Sequence, residues 1–247
     1  MVRFLAVMKL TEKEQRNKSE AERFARKNKK QIARRLTDPQ ICRPVNDPVS
    51  VFMAGSPGAG KTESSIELIE LLSNDGLDVL RIDADELRQE FPNYTGDNSW
   101  LFQPAVSILV ERIHDLALKQ SQNFILDGTL TNYEKSRHNI ERSLKKGRPV
   151  QILYVYQDPR LAWEFVQARE SQEGRRIEPE VFLEQYFAAR QVVNRLKAEL
   201  GPAIKVDLLL KNLDNSNRLY KAGIDRIDNH VPEKYDPGSL RELLKLS

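Results

Sequence analysis

Apolar residues cluster in short runs, most of them interrupted by a polar residue or two, separated by longer stretches with helical spacing. VSVFMA (49–54), LDVLRID (77–83), NFILDG (123–128), PVQILYVY (149–156) and AIKVDLLL (203–210) are apolar runs of strand length and predict five buried strands. Between them, KTESSIELIELLSNDG has Ile66, Leu68, Ile69 and Leu72 on one side and a stop at Gly76. PAVSILVERIHDLALKQ places Val106, Leu109, Val110, Ile113 and Ala117 on one helical face. NYEKSRHNIERSLKKG and EVFLEQYFAARQVVNRLKAEL predict two further helices, and GSLRELLKL a last one. In QDPR, Asp158 is an N-cap and Pro159 a first helical residue, the favoured order at a helix start. ESQEGRRIEP reads as a polar loop, and LDNSNRLYKAG as a turn with a short edge strand. Strands alternating with helices of this length predict a three-layer α/β fold with a mostly parallel central sheet.

The amino-terminal part has a different texture. From Glu12 to Arg35 there are ten Lys or Arg against four Asp or Glu, a local net of +6 in a chain whose total is +3. Ala21, Phe24, Ala25, Ile32 and Leu36 recur there at helical spacing, so a basic amphipathic helix is expected. LTDPQICRPVNDP then marks a join. Residues 1–45 are expected to form a basic helical extension packed on a domain spanning 46–247. Its charge admits two readings, a solvated face or a surface for nucleic acid or an acidic partner. Few aromatics interleave with the charges, and the rest of the chain carries −3. Nucleic acid is therefore not the expected partner.

Composition narrows the class further. At 247 residues, 40% hydrophobic and 30% charged, the chain suits one α/β domain with a full core. No apolar stretch is long enough to cross a bilayer, and the opening MVRFLAVMKL lacks a signal peptide's cleavage site. Cys42 is the single cysteine, which fits a cytoplasmic location.

The chemistry begins at GSPGAGKT, where Gly55, Gly60, Lys61 and Thr62 complete the pattern G-x-x-x-x-G-K-[ST] between a strand and a helix. Glycines let successive amides turn toward phosphate oxygens, and the helix adds its positive end. Residues Gly55, Ser56, Pro57, Gly58, Ala59, Gly60, Lys61 and Thr62 are thus expected to hold ATP. Lys61 would reach the β- and γ-phosphates and the Thr62 hydroxyl would ligate Mg2+. The competing reading is a glycine turn that binds nothing. Asp127 is followed by Gly128 rather than by the glutamate usual in motor ATPases, and no N-K-x-D guanine signature occurs. Transfer to an acceptor is the better reading.

Ligands in such sheets gather at the carboxyl ends of strands. Asp83 and Asp85 follow the second strand, Asp127 to Thr129 the third, and Arg169, Arg175 and Arg176 lie beyond the fourth. Asp83 with Glu86 has the spacing of a capping box. Asp85 is either a helix-start aspartate or a base for an acceptor hydroxyl. The arginines are either clamps on a transferring phosphoryl group or members of a solvated loop.

GSPGAGKT, IDADELRQEFPNY, ILDGTL, the AR pair at Arg169 and GRRIEP together resemble the zeta toxin family over roughly residues 47–222. The resemblance implies a P-loop kinase that uses ATP to phosphorylate the 3′-hydroxyl of UDP-N-acetylglucosamine, a toxin of a toxin–antitoxin system. It makes Asp85 the catalytic base, with Lys61, Arg169 and Arg176 compensating phosphate charge. It places Glu111, Asp127 and Thr129 beside the sugar substrate, with Asp83 next to them. At Asp127 the chain departs from the family, which has glutamate there; the shorter side chain bears on the acceptor rather than on the kinase chemistry. Other nucleotide, sugar or antibiotic hydroxyls are the alternative acceptors, and a nucleic-acid end-processing protein is the alternative of another class. The segment before the glycine loop is too short for a fused inhibitory three-helix domain, so an antitoxin is expected to be a separate chain.

Overall fold

The computed structural model describes residues 10–174, 177–211, 218–232 and 234–246. The first helix, α1 (Glu12–Leu36), starts at a capping box in which Thr11 and Glu14 exchange hydrogen bonds. Its buried positions Ala21, Ala25, Ile32 and Ala33 share a core cluster with α4 (Gln103–Lys119). Small residues on that face let the two helices approach closely.

A six-stranded sheet follows in the order β2-β3-β1-β4-β5-β6. Its strands are β1 (Ser50–Ala54), β2 (Val79–Asp83), β3 (Asn123–Asp127), β4 (Val150–Tyr156), β5 (Lys205–Lys211) and β6 (Arg218–Lys221). The first five pair in parallel, and β6 closes one edge antiparallel to β5. Side chains alternate across the sheet. Phe52, Phe124, Ile152 and Tyr154 join the large cluster shared with α1, α4 and α7 (Pro179–Leu200). Val51, Met53, Ile125, Leu153 and Val155 pack on the opposite face with Leu68 and Ile69 of α2 (Lys61–Asn74). This is the expected three-layer arrangement, and the expected edge strand is β6.

The remaining helices are α3 (Ala84–Leu87), α5 (Tyr133–Leu144), α6 (Pro159–Glu173) and α8 (Pro237–Leu243). Three local expectations need correction. Ile66 does not lie on the buried side of α2; it is exposed, while Ser64 and Ser65 take the inner face beneath the glycine loop. The stretch beginning at Glu170 is helical as far as Glu173, and Gly174 ends α6 in a left-handed conformation. ADELRQEF forms only four α-helical residues before a 3-10 turn at Arg88–Glu90.

No described helix is long and apolar enough to cross a membrane.

Candidate active site

β1 lies between β3 and β4, so the loop after it opens at the centre of the sheet's carboxyl edge. Gly55, Gly58 and Gly60 all have positive φ. Two of them also face backbone: a Cβ on Gly55 would overlap the carbonyl oxygen of Val155, and one on Gly58 that of Ala162 in α6. Only glycine fits where the loop is pressed against β4 and α6. Gly58→Ala should therefore cost about 1–3 kcal/mol through left-handed strain alone, read as a lower denaturation midpoint. Wild-type stability would show that the loop is not held against α6.

Gly60 caps α2 with no side-chain hydrogen bond, which leaves the positive end of the helix for an anion. Lys61 folds back over the loop, its Nζ donating to the carbonyls of Ser56 at 2.7 Å and Gly55 at 3.1 Å. Burial pulls its pKa down to about 8, and the Arg169 charge pulls the same way. Asp127, Asp85 and Glu63 partly oppose this. Bound phosphates would raise that value, so nucleotide binding above pH 8 must take up a proton. Affinity should be full below pH 8 and fall as pH rises through it, by up to about tenfold per unit. Calorimetry at pH 8.5 in two buffers of different ionisation enthalpy measures this uptake; none at all would place Lys61 away from the phosphates.

The parallel register puts Asp83 at the end of β2 directly beside Asp127 at the end of β3. Asp127 Oδ2 accepts from Ser65 Oγ at 3.0 Å and lies 3.4 Å from Arg81 Nε. Asp83 caps α3 as expected, accepting from the Asp85 amide at 2.7 Å. The capping box does not form, because Glu86 pairs with Arg81, which also pairs with Asp83. Burial, with Asp127 and Asp85 nearby, pushes the Asp83 pKa up to about 6. Asp83 thus has both oxygens engaged, whereas the Asp85 side chain is 42% exposed and pairs with Arg88.

Arg169 on α6 stands 3.7 Å from Glu63 in the first turn of α2. The Thr129 carbonyl accepts from the Gly55 amide at 3.3 Å, tying the loop after β3 to the glycine loop, and its hydroxyl lies 3.2 Å from that of Thr131. Lys61, Asp83, Asp85, Asp127, Thr129 and Arg169 are thereby brought to one edge. Glu111 is not tied to them: it is exposed on α4 and makes no hydrogen bond or ion pair with those residues among the described ones. Arg176, with Arg175, lies outside the described residues.

Three charged neighbours of the site escaped the sequence reading. Arg81 joins Asp83, Asp127 and Ser65. Arg88 links Asp85 to Gln103, donating to its Oε1 at 2.7 Å. Lys211, buried at the end of β5, donates to the Gly60 carbonyl at 2.9 Å. No group of three or more metal-ligating side chains that could hold an ion occurs among the described residues. Thr62, the expected Mg2+ ligand, is the second residue of α2; Mg2+ generally keeps waters and binds through substrate phosphates with few protein ligands.

A glycine loop at an open helix end stands at the same edge of the sheet as three carboxylates, Asp83, Asp85 and Asp127. The class is P-loop phosphotransferase. The zeta toxin family model matches residues 32–225, and the chain belongs to that family.

No curated protein sequence matches the chain. Solved structures share its fold at low identity. One is of the PezAT chromosomal toxin–antitoxin system of the human pathogen Streptococcus pneumoniae, with TM-score 0.61 and 16% identity over 96% of this chain and 94% of that one. The AvrRxo1-ORF1:AvrRxo1-ORF2 structure with sulphate ions gives 0.57 and 14% over 88% and 71%. The same pair with ATP gives 0.55 and 16% over 84% and 66%.

Proposed function

We propose that this chain is an ATP-dependent kinase of a sugar hydroxyl, with the 3′-OH of UDP-N-acetylglucosamine as acceptor. The observation that carries the reading is the gathering of Asp83, Asp85 and Asp127 at the carboxyl ends of β2 and β3, with Asp85 and Asp127 near enough to Lys61 to act on its charge. Residues 55–62 would cradle the ATP phosphates. Thr62 would hold Mg2+ together with the phosphates, and the ion would supply charge compensation there. Asp85 accepts the proton of the acceptor hydroxyl as that oxygen attacks the γ-phosphorus. The bond to the bridging oxygen breaks, and ADP leaves with Lys61, Arg169 and Arg176 compensating the charge. Asp83, Glu111, Asp127 and Thr129 would position the acceptor.

Family membership and the likeness to a toxin–antitoxin structure support a toxin role with a separate antitoxin chain; a cytoplasmic site of action is part of the same proposal. Within this proposal, residues 1–45 form an extension to a kinase domain spanning 46–247. A different small-molecule hydroxyl is the second reading. It is favoured by the short Asp127 side chain and by a Glu111 not tied to the carboxylates.

Incubation with MgATP and a panel of UDP-sugars, nucleosides and antibiotics, scored by mass spectrometry, tests the proposal. A phosphoryl gain on UDP-N-acetylglucosamine alone supports the first reading, and a gain on another member selects the second. ATP hydrolysis without any phosphorylated product rejects both.

A further inference from the structure

Arg16, Arg23, Lys27, Lys30 and Arg34 are all exposed on α1. Their spacing of i, i+7, i+11, i+14 and i+18 puts them within about a 60° sector of the helix, over about 27 Å of its length. That sector lies opposite the buried face of Ala21, Ala25 and Ile32. None of the five forms an ion pair with a described residue, whereas Arg26 and Arg35 nearby pair with Glu22 and Glu90. Like charges three and four residues apart destabilise a helix. From Arg23 to Arg34 the sector carries one sign; at its amino-terminal end the exposed Glu12 and Glu20 lie four residues either side of Arg16.

Beside the stripe runs a groove. Two clefts of about 210 and 190 Å3 lie along one flank of α1, and Phe24 lines both. Their opposite wall is Glu90 to Asn93. The floor of the second cleft is aromatic, with Phe24, Phe91 and Phe102 at successive ring-centroid distances of 5.5 and 5.4 Å and the last two buried; the first cleft has Phe24 and Ile32 at its base between Asn28, Gln31, Arg35 and Glu90. The Arg35–Glu90 pair borders the first cleft, and Asn93 donates to Glu20 at the second. Each cleft has room for one large apolar side chain.

We propose that this groove and stripe form a docking surface for an acidic amphipathic helix of a partner chain. Apolar side chains of such a helix would seat in the two clefts while carboxylates on its flank meet the stripe. This joins the recognition mode of a helix in a groove with charge complementarity at its rim. A nucleic-acid duplex would meet the stripe but keeps its bases stacked within itself, away from the clefts, and Phe24, the one aromatic between Arg16 and Arg34, lies on the cleft flank and not in the basic sector. The groove wall continues directly from the turn carrying Asp85 and Arg88, so an occupant contacts the segment that holds the acceptor side.

The test needs no activity and is independent of the proposed reaction. The full chain is titrated into a fluorescent helical peptide of about 20 residues, long enough to hold a helix, with leucines on one face and glutamates on the flank. A scrambled peptide of equal charge and a short DNA duplex are the comparisons. Saturable binding is expected only for the amphipathic peptide. It should weaken at least about tenfold in an Arg23→Glu, Lys27→Glu, Lys30→Glu variant and in Gln31→Trp, which fills a cleft without touching the stripe. The substituted positions are exposed, so the variants should keep the wild-type circular dichroism spectrum and melting point. Equal or tighter binding of the scrambled peptide or the duplex would overturn the proposal, as would no saturable binding of the amphipathic peptide.

Discussion

Lys61→Ala should lower phosphoryl transfer by at least about 10³-fold, the low end for removing a cation that stabilises the transferring group. The ammonium already lies over the loop, held by the Gly55 and Ser56 carbonyls. A phosphate entering the loop would meet that charge without any rearrangement of the chain. Removing it leaves the glycines and the open end of α2 in place, so the fold should persist and melt cooperatively. Single-turnover kinetics with the protein in excess separates transfer from binding. Near wild-type turnover would remove Lys61 from the chemistry and the phosphate loop with it.

Asp85→Asn should lower transfer by roughly 10²–10⁴, the range for losing a positioned general base, while ATP binding persists. The substitution keeps the shape and one accepting oxygen but removes the basicity. Asp83→Asn provides the contrast. Its carboxylate caps α3 and meets Arg81, so the effect expected is on stability, with a capping loss of a few tenths of a kcal/mol because asparagine caps almost as well and a further loss from the Arg81 pair. A catalytically dead Asp83→Asn beside an active Asp85→Asn would mean that the base is the other aspartate.

The glycine loop was legible in the sequence because all its parts are contiguous: strand, glycines, lysine and helix follow one another within GSPGAGKT and its flanks. The strands were legible because each is built round a short cluster of apolar residues, and the face of α4 because its five predicted residues all turn inward. What the sequence does not carry is which strands are neighbours. Asp83 and Asp127 meet only because β2 pairs with β3 in register, and Arg81 gains its role from that pairing alone. In sequence it is a polar residue inside a strand. Lys211 contacts a residue 151 positions away, beyond the reach of any local pattern. Ile66 is exposed although its helical spacing predicts burial, because Ser64 and Ser65 take the inner face. The serines are inside because their hydroxyls have partners there, Gly60 for Ser64 and Thr62 and Asp127 for Ser65. A buried polar group with its hydrogen bonds made is inexpensive.

Phosphorus and proton NMR of UDP-N-acetylglucosamine incubated with MgATP and the protein tests the central claim most directly. The account predicts a new phosphomonoester coupled to the sugar's H3, formed in step with ADP and not formed by Asp85→Asn. Conversion of ATP to ADP and inorganic phosphate with the sugar unchanged, or a product formed equally well by Asp85→Asn, would contradict it.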